Sequence, residues 1–193
     1  MRIISGKCKG RVIAPPKNLR ARPTTDFAKE NIFNVLGNWI DFEGVEALDL
    51  FAGTGSISYE LASRGASGVI AVEINTVHYN FIRATVAALG LQAIHPVKAN
   101  AFLYLKSTER RFDLIFSDAP YDLEGAETVV DTVFERSLLR KGGWLVFEDS
   151  GRCDFSAHPH FVQRRSYGSV HFSIFCHKTE EKWLKKSLRC YEK

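Results

Sequence analysis

The sequence predicts an α/β fold in which helices cover both faces of a mainly parallel β-sheet. From Val45 to Phe147, apolar segments of strand length alternate with segments of helical periodicity. Near the end, two β-rich segments around Tyr167-Gly168 follow each other with no helix between them. Strand–helix alternation is typical of parallel sheets, whereas strands joined by a short turn pair antiparallel. We therefore expect a single domain whose sheet ends in an antiparallel pair.

Each element is placed by its own local pattern. Thr25 can cap a first helix from Asp26, whose apolar positions recur at helical spacing. Five strands are then predicted at Val45–Leu50, Val69–Val72, Ala93–Val97, Phe112–Phe116 and Gly143–Phe147. The helices between them are predicted at Ser56–Arg64, Thr76–Leu89, a short stretch near Phe102, and Glu124–Leu139. The final strands are predicted at Phe161–Arg165 and Ser169–Cys176.

The two ends of the chain differ from this central region. Residues 1–25 are basic and predict a small β-hairpin, Arg2–Ser5 with Gly10–Ala14, followed by a proline-rich loop. Residues 26–178 form the predicted α/β domain, and residues 179–193 predict a basic C-terminal helix. The three parts give one core domain with a basic extension at each end.

Composition narrows the classes of function. No apolar run reaches the length of a membrane span, and the N-terminus lacks a secretory apolar region, so a cytoplasmic protein without a membrane partner is expected. The four cysteines are scattered and include no C-x-x-C pair. His158 and His160 have no acidic or cysteine partner at ligand spacing. We predict no metal site.

The net charge of +4 hides a strong asymmetry. The first 25 residues hold seven basic residues and no acidic one, whereas residues 26–177 hold 13 basic and 19 acidic ones. We call residues 1–25 the basic arm. A basic segment attached to an acidic domain is suited to binding a polyanion, and Lys7, Lys9 and Arg11 are among its candidate contacts. A solvated hairpin that only improves solubility would show the same charges. Charge alone leaves these alternatives open.

A glycine-rich turn after the first strand of the central region is the first functional motif. The segment Asp49-Leu50-Phe51-Ala52-Gly53-Thr54-Gly55 joins a strand to a helix, and such glycines let a ligand approach the backbone. Glu73 ends the next strand, where a carboxylate can accept the hydroxyls of a ribose. A dinucleotide-binding fingerprint would need a third glycine, and Ser58 occupies that position. A carboxylate without basic neighbours suits S-adenosylmethionine, which carries positive charge and no phosphate.

The second motif follows a later buried strand and indicates the chemistry. Asp118-Ala119-Pro120-Tyr121 resembles the D-P-P-Y motif of methyltransferases that modify amino groups of bases, with alanine replacing the first proline. An exocyclic amine is a poor nucleophile because its lone pair is delocalised into the ring. A carboxylate on Asp118 and the carbonyl of Ala119 could accept its two N–H groups, while Pro120 stiffens the turn and Tyr121 stacks on the base.

Asn100-Ala101 follows the third predicted strand of the central region. Methyltransferases of this type often place Asp or Asn there to contact the adenine amino group of the cofactor. Asn100 is equally suited to cap the following helix. Both roles remain open at the level of sequence.

The N-terminal region carries a more specific resemblance. Met1-Arg2-Ile3-Ile4-Ser5-Gly6-Lys7, Lys9-Gly10-Arg11, Arg22-Pro23-Thr24-Thr25-Asp26 and Asn31-Ile32-Phe33-Asn34-Val35-Leu36, with the two motifs above, resemble the RsmD family of 16S ribosomal RNA (guanine-N2)-methyltransferases. The resemblance implies a Rossmann-like class I methyltransferase fold with a seven-stranded sheet. It also implies that the cofactor is lined by Asp49, Phe51, Gly53, Gly55, Glu73, Asn100 and Ala101. Asp118 and Tyr121 would face the base, and the loop containing Arg22 and Thr24 would close near it.

The expected substrate is therefore the N2 amine of a guanine in small-subunit ribosomal RNA, in an assembled or assembling 30S particle. Two alternatives are kept. A DNA adenine-N6 methyltransferase shares the chemistry, but usually carries a target-recognition region for which this chain has no room. A catalytically inactive RNA-binding assembly factor would keep the fold and the basic arm. Cofactor binding would distinguish the inactive factor from the enzyme.

Overall fold

The computed structural model describes residues 1–15 and 25–177. The helices are α1 (Asp26–Leu36), α2 (Ser56–Ser63), α3 (Thr76–Leu89), α4 (Ala101–Ser107) and α5 (Thr128–Glu135). The strands are β1 (Glu46–Leu50), β2 (Gly68–Glu73), β3 (Ile94–Lys98), β4 (Phe112–Asp118), β5 (Leu139–Asp149), β6 (Phe161–Tyr167) and β7 (Val170–Cys176). The α/β fold and nearly all of its elements are as the sequence predicts.

The seven strands form one sheet in the order β3-β2-β1-β4-β5-β7-β6. Strands β1 to β5 are parallel, and β7 pairs antiparallel with both β5 and β6. The predicted antiparallel pair at the edge is confirmed. The strand order reverses between β1 and β4, which is where open α/β sheets bind ligands.

Two hydrophobic clusters pack on opposite faces of this sheet. One joins α1, α2 and α3 through residues such as Phe33 and Ile82, and the other joins α4 and α5 through residues such as Leu105. Successive residues of β1 alternate between them, with Ala47 in the first cluster and Leu48 in the second. This alternation is the two-residue period of a strand buried on both faces.

The predicted helix at Glu124–Leu139 is wrong in length. The observed helix α5 covers only Thr128–Glu135. Gly125 has a φ of +74° in the turns that precede it, and Ser137 has a φ of +53° just after it. These left-handed backbone conformations cannot continue an α-helix, and Leu139 instead begins β5.

Strand β5 is also longer than the predicted Gly143–Phe147. It begins four residues earlier because Leu139 pairs with Phe112 before an irregularity in the register, after which Trp144 pairs with Leu114. Gly142 adopts a φ of +76° within this bulge. Gly142 and Gly143 therefore lie at a bulge within β5 and do not mark the beginning of the strand.

The predicted N-terminal hairpin of two strands is not observed. Residues 1–15 make one antiparallel bridge, between Arg2 and Val12, with no strand on either side. The predicted C-terminal helix and most of the proline-rich loop lie outside the described residues. Within the described part of the chain, no helix is long and apolar enough to cross a membrane.

Candidate active site

A cleft of about 570 Å³ lies at the carboxyl ends of the parallel strands. Its walls come from the loop after β1, the ends of β2 and β4, the start of α4, and the buried Glu148 of β5. The volume is in the range of ordinary small-molecule sites. The predicted residues that line it are Asp49, Phe51, Gly53, Glu73, Asn100, Ala101, Asp118, Pro120 and Tyr121.

The glycine-rich loop forms one wall through unusual backbone conformations. Phe51, Gly53 and Gly55 have φ values of +58°, +56° and +84°. A Cβ added to Gly53 would meet only one atom within 4 Å, the Phe51 carbonyl oxygen at 3.8 Å. Gly55 is the N-cap of α2, and a Cβ there would lie 2.7 Å from the Tyr59 ring. Gly55 is thus required by packing and does not itself line the cleft.

Asp49 is hydrogen-bonded to the first turn of α2, the helix that follows this loop. Its side chain is buried and its Oδ2 accepts hydrogen bonds from the backbone N–H and the hydroxyl of Ser58. Burial raises the pKa of Asp49 to about 7, and the nearby Asp118 and Glu73 act in the same direction against the Ser58 hydrogen bonds. Ser58, which replaces the third glycine of the dinucleotide motif, therefore orients an acidic side chain.

Glu73 connects the end of β2 to the same loop. Its Oε2 accepts a hydrogen bond from Gly53 N at 2.8 Å, and its Oε1 accepts one from Asn75 N at 2.6 Å. These bonds fix the carboxylate at the cleft wall. Its predicted contact with a ribose stays a prediction.

Asn100 acts as the N-cap of α4. Its Oδ1 accepts a hydrogen bond from Leu103 N at 3.1 Å. The capping role is thus observed, and the side chain also lines the cleft. Phe51 and Phe102 make an edge-to-face contact on the same wall, with ring centroids 5.7 Å apart. An aromatic wall next to an amide is suited to binding a planar ring.

The Asp-Ala-Pro-Tyr motif forms the opposite wall. Asp118 is the last residue of β4, and Ala119 is buried behind it. Leu123 N donates to the Pro120 carbonyl at 2.9 Å, which closes a turn after the strand. The Tyr121 hydroxyl donates to Oε1 of Glu148 at 3.1 Å. The motif therefore places a carboxylate, a proline turn and an aromatic ring on one side of the cleft.

Two buried charged side chains at or near the cleft are not predicted by the sequence patterns. Glu148 is in register with Asp118 on the neighbouring strand. Lys29 is buried on α1, and its Nζ donates to the Arg2 carbonyl at 2.7 Å and to the Ser56 hydroxyl at 3.1 Å. Burial lowers the pKa of Lys29. The sequence does place Lys29 between the apolar positions of α1, and this pattern could have indicated that Lys29 is buried.

The N-terminal segment is fastened to α2. Buried Glu60 accepts hydrogen bonds from Ile4 N at 2.8 Å and Ser5 N at 3.1 Å. Lys7 N donates to the Ser63 carbonyl at 2.8 Å, and a Cβ on Gly6 would lie 1.8 Å from that oxygen. The side chains of Lys7, Lys9 and Arg11 remain exposed. Arg22 and Thr24, the other predicted substrate contacts, lie outside the described residues.

The cleft is acidic. Among the described residues that line it there are five carboxylates and no lysine or arginine: Asp49, Glu73, Asp118, Asp122 and Glu148. Such a field favours a cationic ligand and disfavours a phosphate. Within residues 1–15 and 25–177, no group of three or more histidine, cysteine or acidic residues is arranged to hold a metal ion.

Comparison with known proteins connects this cleft to a family. The family model described as Conserved hypothetical protein 95 matches residues 1–176. The chain belongs to this family. This is the RsmD family that the motifs of the sequence resemble.

A curated member of the RsmD family is similar over nearly the whole chain. It is the ribosomal RNA small subunit methyltransferase D of Buchnera aphidicola subsp. Baizongia pistaciae, 30% identical over 182 residues, with 91% of each chain covered.

Solved structures show the same fold. A methyltransferase from Escherichia coli, yhhF, is 24% identical with a TM-score of 0.80, covering 93% of this chain and 98% of its own. The 16S rRNA N2 G1207 methyltransferase of Thermus thermophilus, solved with AdoMet and guanosine, is 21% identical with a TM-score of 0.66. That match covers 82% of this chain and 45% of the Thermus chain. The Rossmann-like methyltransferase fold is therefore confirmed.

Proposed function

We propose that this protein transfers a methyl group from S-adenosylmethionine to the N2 amine of a guanine in small-subunit ribosomal RNA. The observation that carries the proposal is one cleft that joins the glycine-rich loop to the Asp118–Tyr121 turn. The curated relative named for small-subunit ribosomal RNA methylation supports the substrate class.

The chemistry of the cleft fits S-adenosylmethionine. When bound, this cofactor supplies an electrophilic methyl group on a positively charged sulfur. The carboxylates of Asp49 and Glu73 suit its two positive charges, and the described residues that line the cleft include no lysine or arginine that could bind a dinucleotide pyrophosphate. Asp49 and Glu73 would hold its polar groups, and the Phe51–Phe102 wall with Asn100 would hold its adenine.

Asp118 and the carbonyl of Ala119 would prepare the amine for attack. By accepting its two N–H groups, they favour a pyramidal nitrogen whose lone pair is no longer delocalised into the ring. Positive charge develops on this nitrogen as the new N–C bond forms, and a carboxylate at the end of β4 stabilises that charge. The methylated nitrogen is then cationic and strongly acidic, so it releases one proton to solvent water and leaves the neutral N2-methyl product. Buried Ala119 offers the same backbone acceptor as the more usual proline.

The basic arm would contribute RNA binding. Lys7, Lys9 and Arg11 are exposed at the Ser63 end of α2, and Ser56 at its other end lines the cleft. An eight-residue helix is about 12 Å long, so these charges lie within a few nucleotides of the cleft. We further propose that Arg22 and Thr24 contact the RNA, that the substrate is an assembled or assembling small subunit, and that the enzyme acts in the cytoplasm.

Nucleoside mass spectrometry tests the proposal directly. Purified protein is incubated with S-adenosylmethionine and undermethylated small-subunit RNA or particles, and the RNA is digested to nucleosides. We expect N2-methylguanosine to appear when the protein is present and to be absent from a control reaction without protein. N6-methyladenosine instead would overturn the base assignment, and an absence of any methylated product would overturn the proposed activity.

A further inference from the structure

Glu148 is a carboxylate that the proposed methyl transfer leaves without a role. It is 3% exposed, lines the cleft, and lies directly beside Asp118 on the neighbouring parallel strand. In-register residues on adjacent strands are about 4.8 Å apart and project from the same face of the sheet. A base whose amine contacts Asp118 can therefore place its adjoining edge next to Glu148.

We propose that Glu148 selects guanine by accepting a hydrogen bond from N1–H of the base, while Asp118 accepts one from the N2 amine. This inference rests on the proposed function and deepens it. It assigns base specificity to a residue on β5, outside the two motifs.

The selectivity follows from the hydrogen-bonding pattern of the two purines. Guanine places the N1–H donor next to its exocyclic N2 amine. Adenine places a bare N1 lone pair next to its N6 amine. A carboxylate that faces guanine accepts a hydrogen bond from N1–H. The same carboxylate facing adenine meets the N1 lone pair, which is another acceptor. Two adjacent acceptors therefore attract guanine and repel adenine, which is how a specific site discriminates between similar ligands.

The environment of Glu148 supports its role as an acceptor. The Tyr121 hydroxyl donates to Oε1 at 3.1 Å, so the tyrosine ring and the carboxylate border the same part of the cleft. A carboxylate has about four lone-pair positions and can accept from a base in addition to this hydroxyl. Because Glu148 is buried, water does not freely take the place of the base as a hydrogen-bond donor.

The contact predicts a measurable exchange of preference. Guanosine and 2-aminoadenosine share the N2 amine, but only guanosine has N1–H. Binding of each nucleoside to protein saturated with S-adenosylhomocysteine is followed by NMR titration. We expect the wild-type protein to prefer guanosine by roughly tenfold or more, the scale of a hydrogen bond to a charged group. Glu148→Gln should abolish or reverse this preference, because its amide can donate to the bare N1.

Two variants separate direct recognition from an indirect effect. If Glu148 only positions Tyr121, then Tyr121→Phe should lose the guanosine preference as Glu148→Gln does, which would overturn the inference. We expect Tyr121→Phe to keep it. Circular dichroism and S-adenosylhomocysteine affinity of Glu148→Gln should match the wild-type protein, showing that the cleft is intact.

Activity on RNA distinguishes this inference from the proposed function. With wild-type protein forming N2-methylguanosine, Glu148→Gln should lower kcat/KM by roughly tenfold or more. An active wild type with an unchanged Glu148→Gln variant would overturn the role of Glu148 alone. A wild-type protein that binds neither guanosine nor 2-aminoadenosine would also overturn the role of Glu148. A wild type that methylates no RNA would instead overturn the proposed function.

Discussion

Carboxylates at the ends of neighbouring strands lie in different environments, which gives them different tasks. Asp49 is buried beneath the glycine-rich loop and holds Ser58, whereas Asp118 is partly exposed at the cleft. We expect buried Asp49, which is hydrogen-bonded to the first turn of α2, to affect cofactor binding. We expect partly exposed Asp118 to affect the chemical step. Substitutions at the two positions should therefore separate cofactor binding from turnover.

Asp118→Asn should lower turnover by roughly a hundredfold or more, because it removes one charged interaction made in the transition state. Cofactor affinity should stay nearly unchanged, because in the proposed mechanism Asp118 contacts the base and not the cofactor. Steady-state kinetics and calorimetry measure the two quantities. Asp122→Asn is a matched control, since Asp122 lines the same cleft and loses the same charge. We expect Asp122→Asn to keep most of its turnover, and a wild-type turnover for Asp118→Asn would remove Asp118 from the mechanism.

Asp49 should make stability depend on pH. Its pKa is raised from 3.8 to about 7 in the folded protein, so between these values the folded state binds more protons than the unfolded chain. Stability from this group is greatest at low pH and is lost as pH rises toward 7. Asp49→Asn, which stays neutral, should therefore raise Tm relative to wild type more at pH 8 than at pH 5. The same Tm difference at both values would contradict the shift.

Residue types and spacing were sufficient to predict most of this cleft. Asp49, Glu73 and Asp118 each lie at or next to the end of a buried strand, and parallel strands bring such positions to one edge of the sheet. Glu148 also follows an apolar run, but no glycine or proline turn marks it as a ligand position. Lys29 lies inside a helix pattern where a lysine is usually exposed. Their roles depend on register and on contacts between distant segments, which one sequence does not display.

At the level of elements, the errors lie where backbone conformation overrides periodicity. Helix α5 is shortened by Gly125 and Ser137, and β5 is lengthened through a bulge at Gly142. The apolar pattern alone continues across these points. The N-terminal segment is a similar case, because it pairs with itself through a single bridge and is also held to α2 by hydrogen bonds from Ile4 and Ser5. Local sequence shows its turn residues but not its partner helix.

The basic arm can be tested as a unit. Replacing Lys7, Lys9 and Arg11 with glutamine should weaken RNA binding and reduce the slope of its salt dependence, by roughly 0.7 to 0.9 for each phosphate interaction removed. The matched control replaces Lys106, Arg111 and Lys141, which are exposed toward the amino ends of the strands, away from the cleft. Filter binding across a salt series measures both. An unchanged slope for the arm variant would leave the arm a solubility feature.

At the scale of the molecule, residues 1–15 and 25–177 offer a cleft and a small basic surface, but little further area for reading a base sequence. Guanine N2 lies on the Watson–Crick edge, so a paired target must leave its partner before Asp118 can reach it. We expect assembled small subunits to be methylated faster than protein-free RNA, because folded RNA presents one guanine in a fixed setting. Rates of N2-methylguanosine formation on both substrates test this. Equal rates would remove the requirement for a particle.

The attachment of the N-terminal segment to α2 has a consequence for the order of folding. The hydrogen bonds from Ile4 and Ser5 to Glu60 close loops of 56 and 55 residues. Closing such loops is costly in entropy, so these contacts should form after β1 and α2 have already come together. Gly6→Ala, which introduces a clash with Ser63, should then speed unfolding while leaving the folding rate almost unchanged. Stopped-flow kinetics would detect this difference, and a slowed folding rate would place the segment in the folding nucleus instead. During synthesis, residues made first would be among the last to reach their native positions.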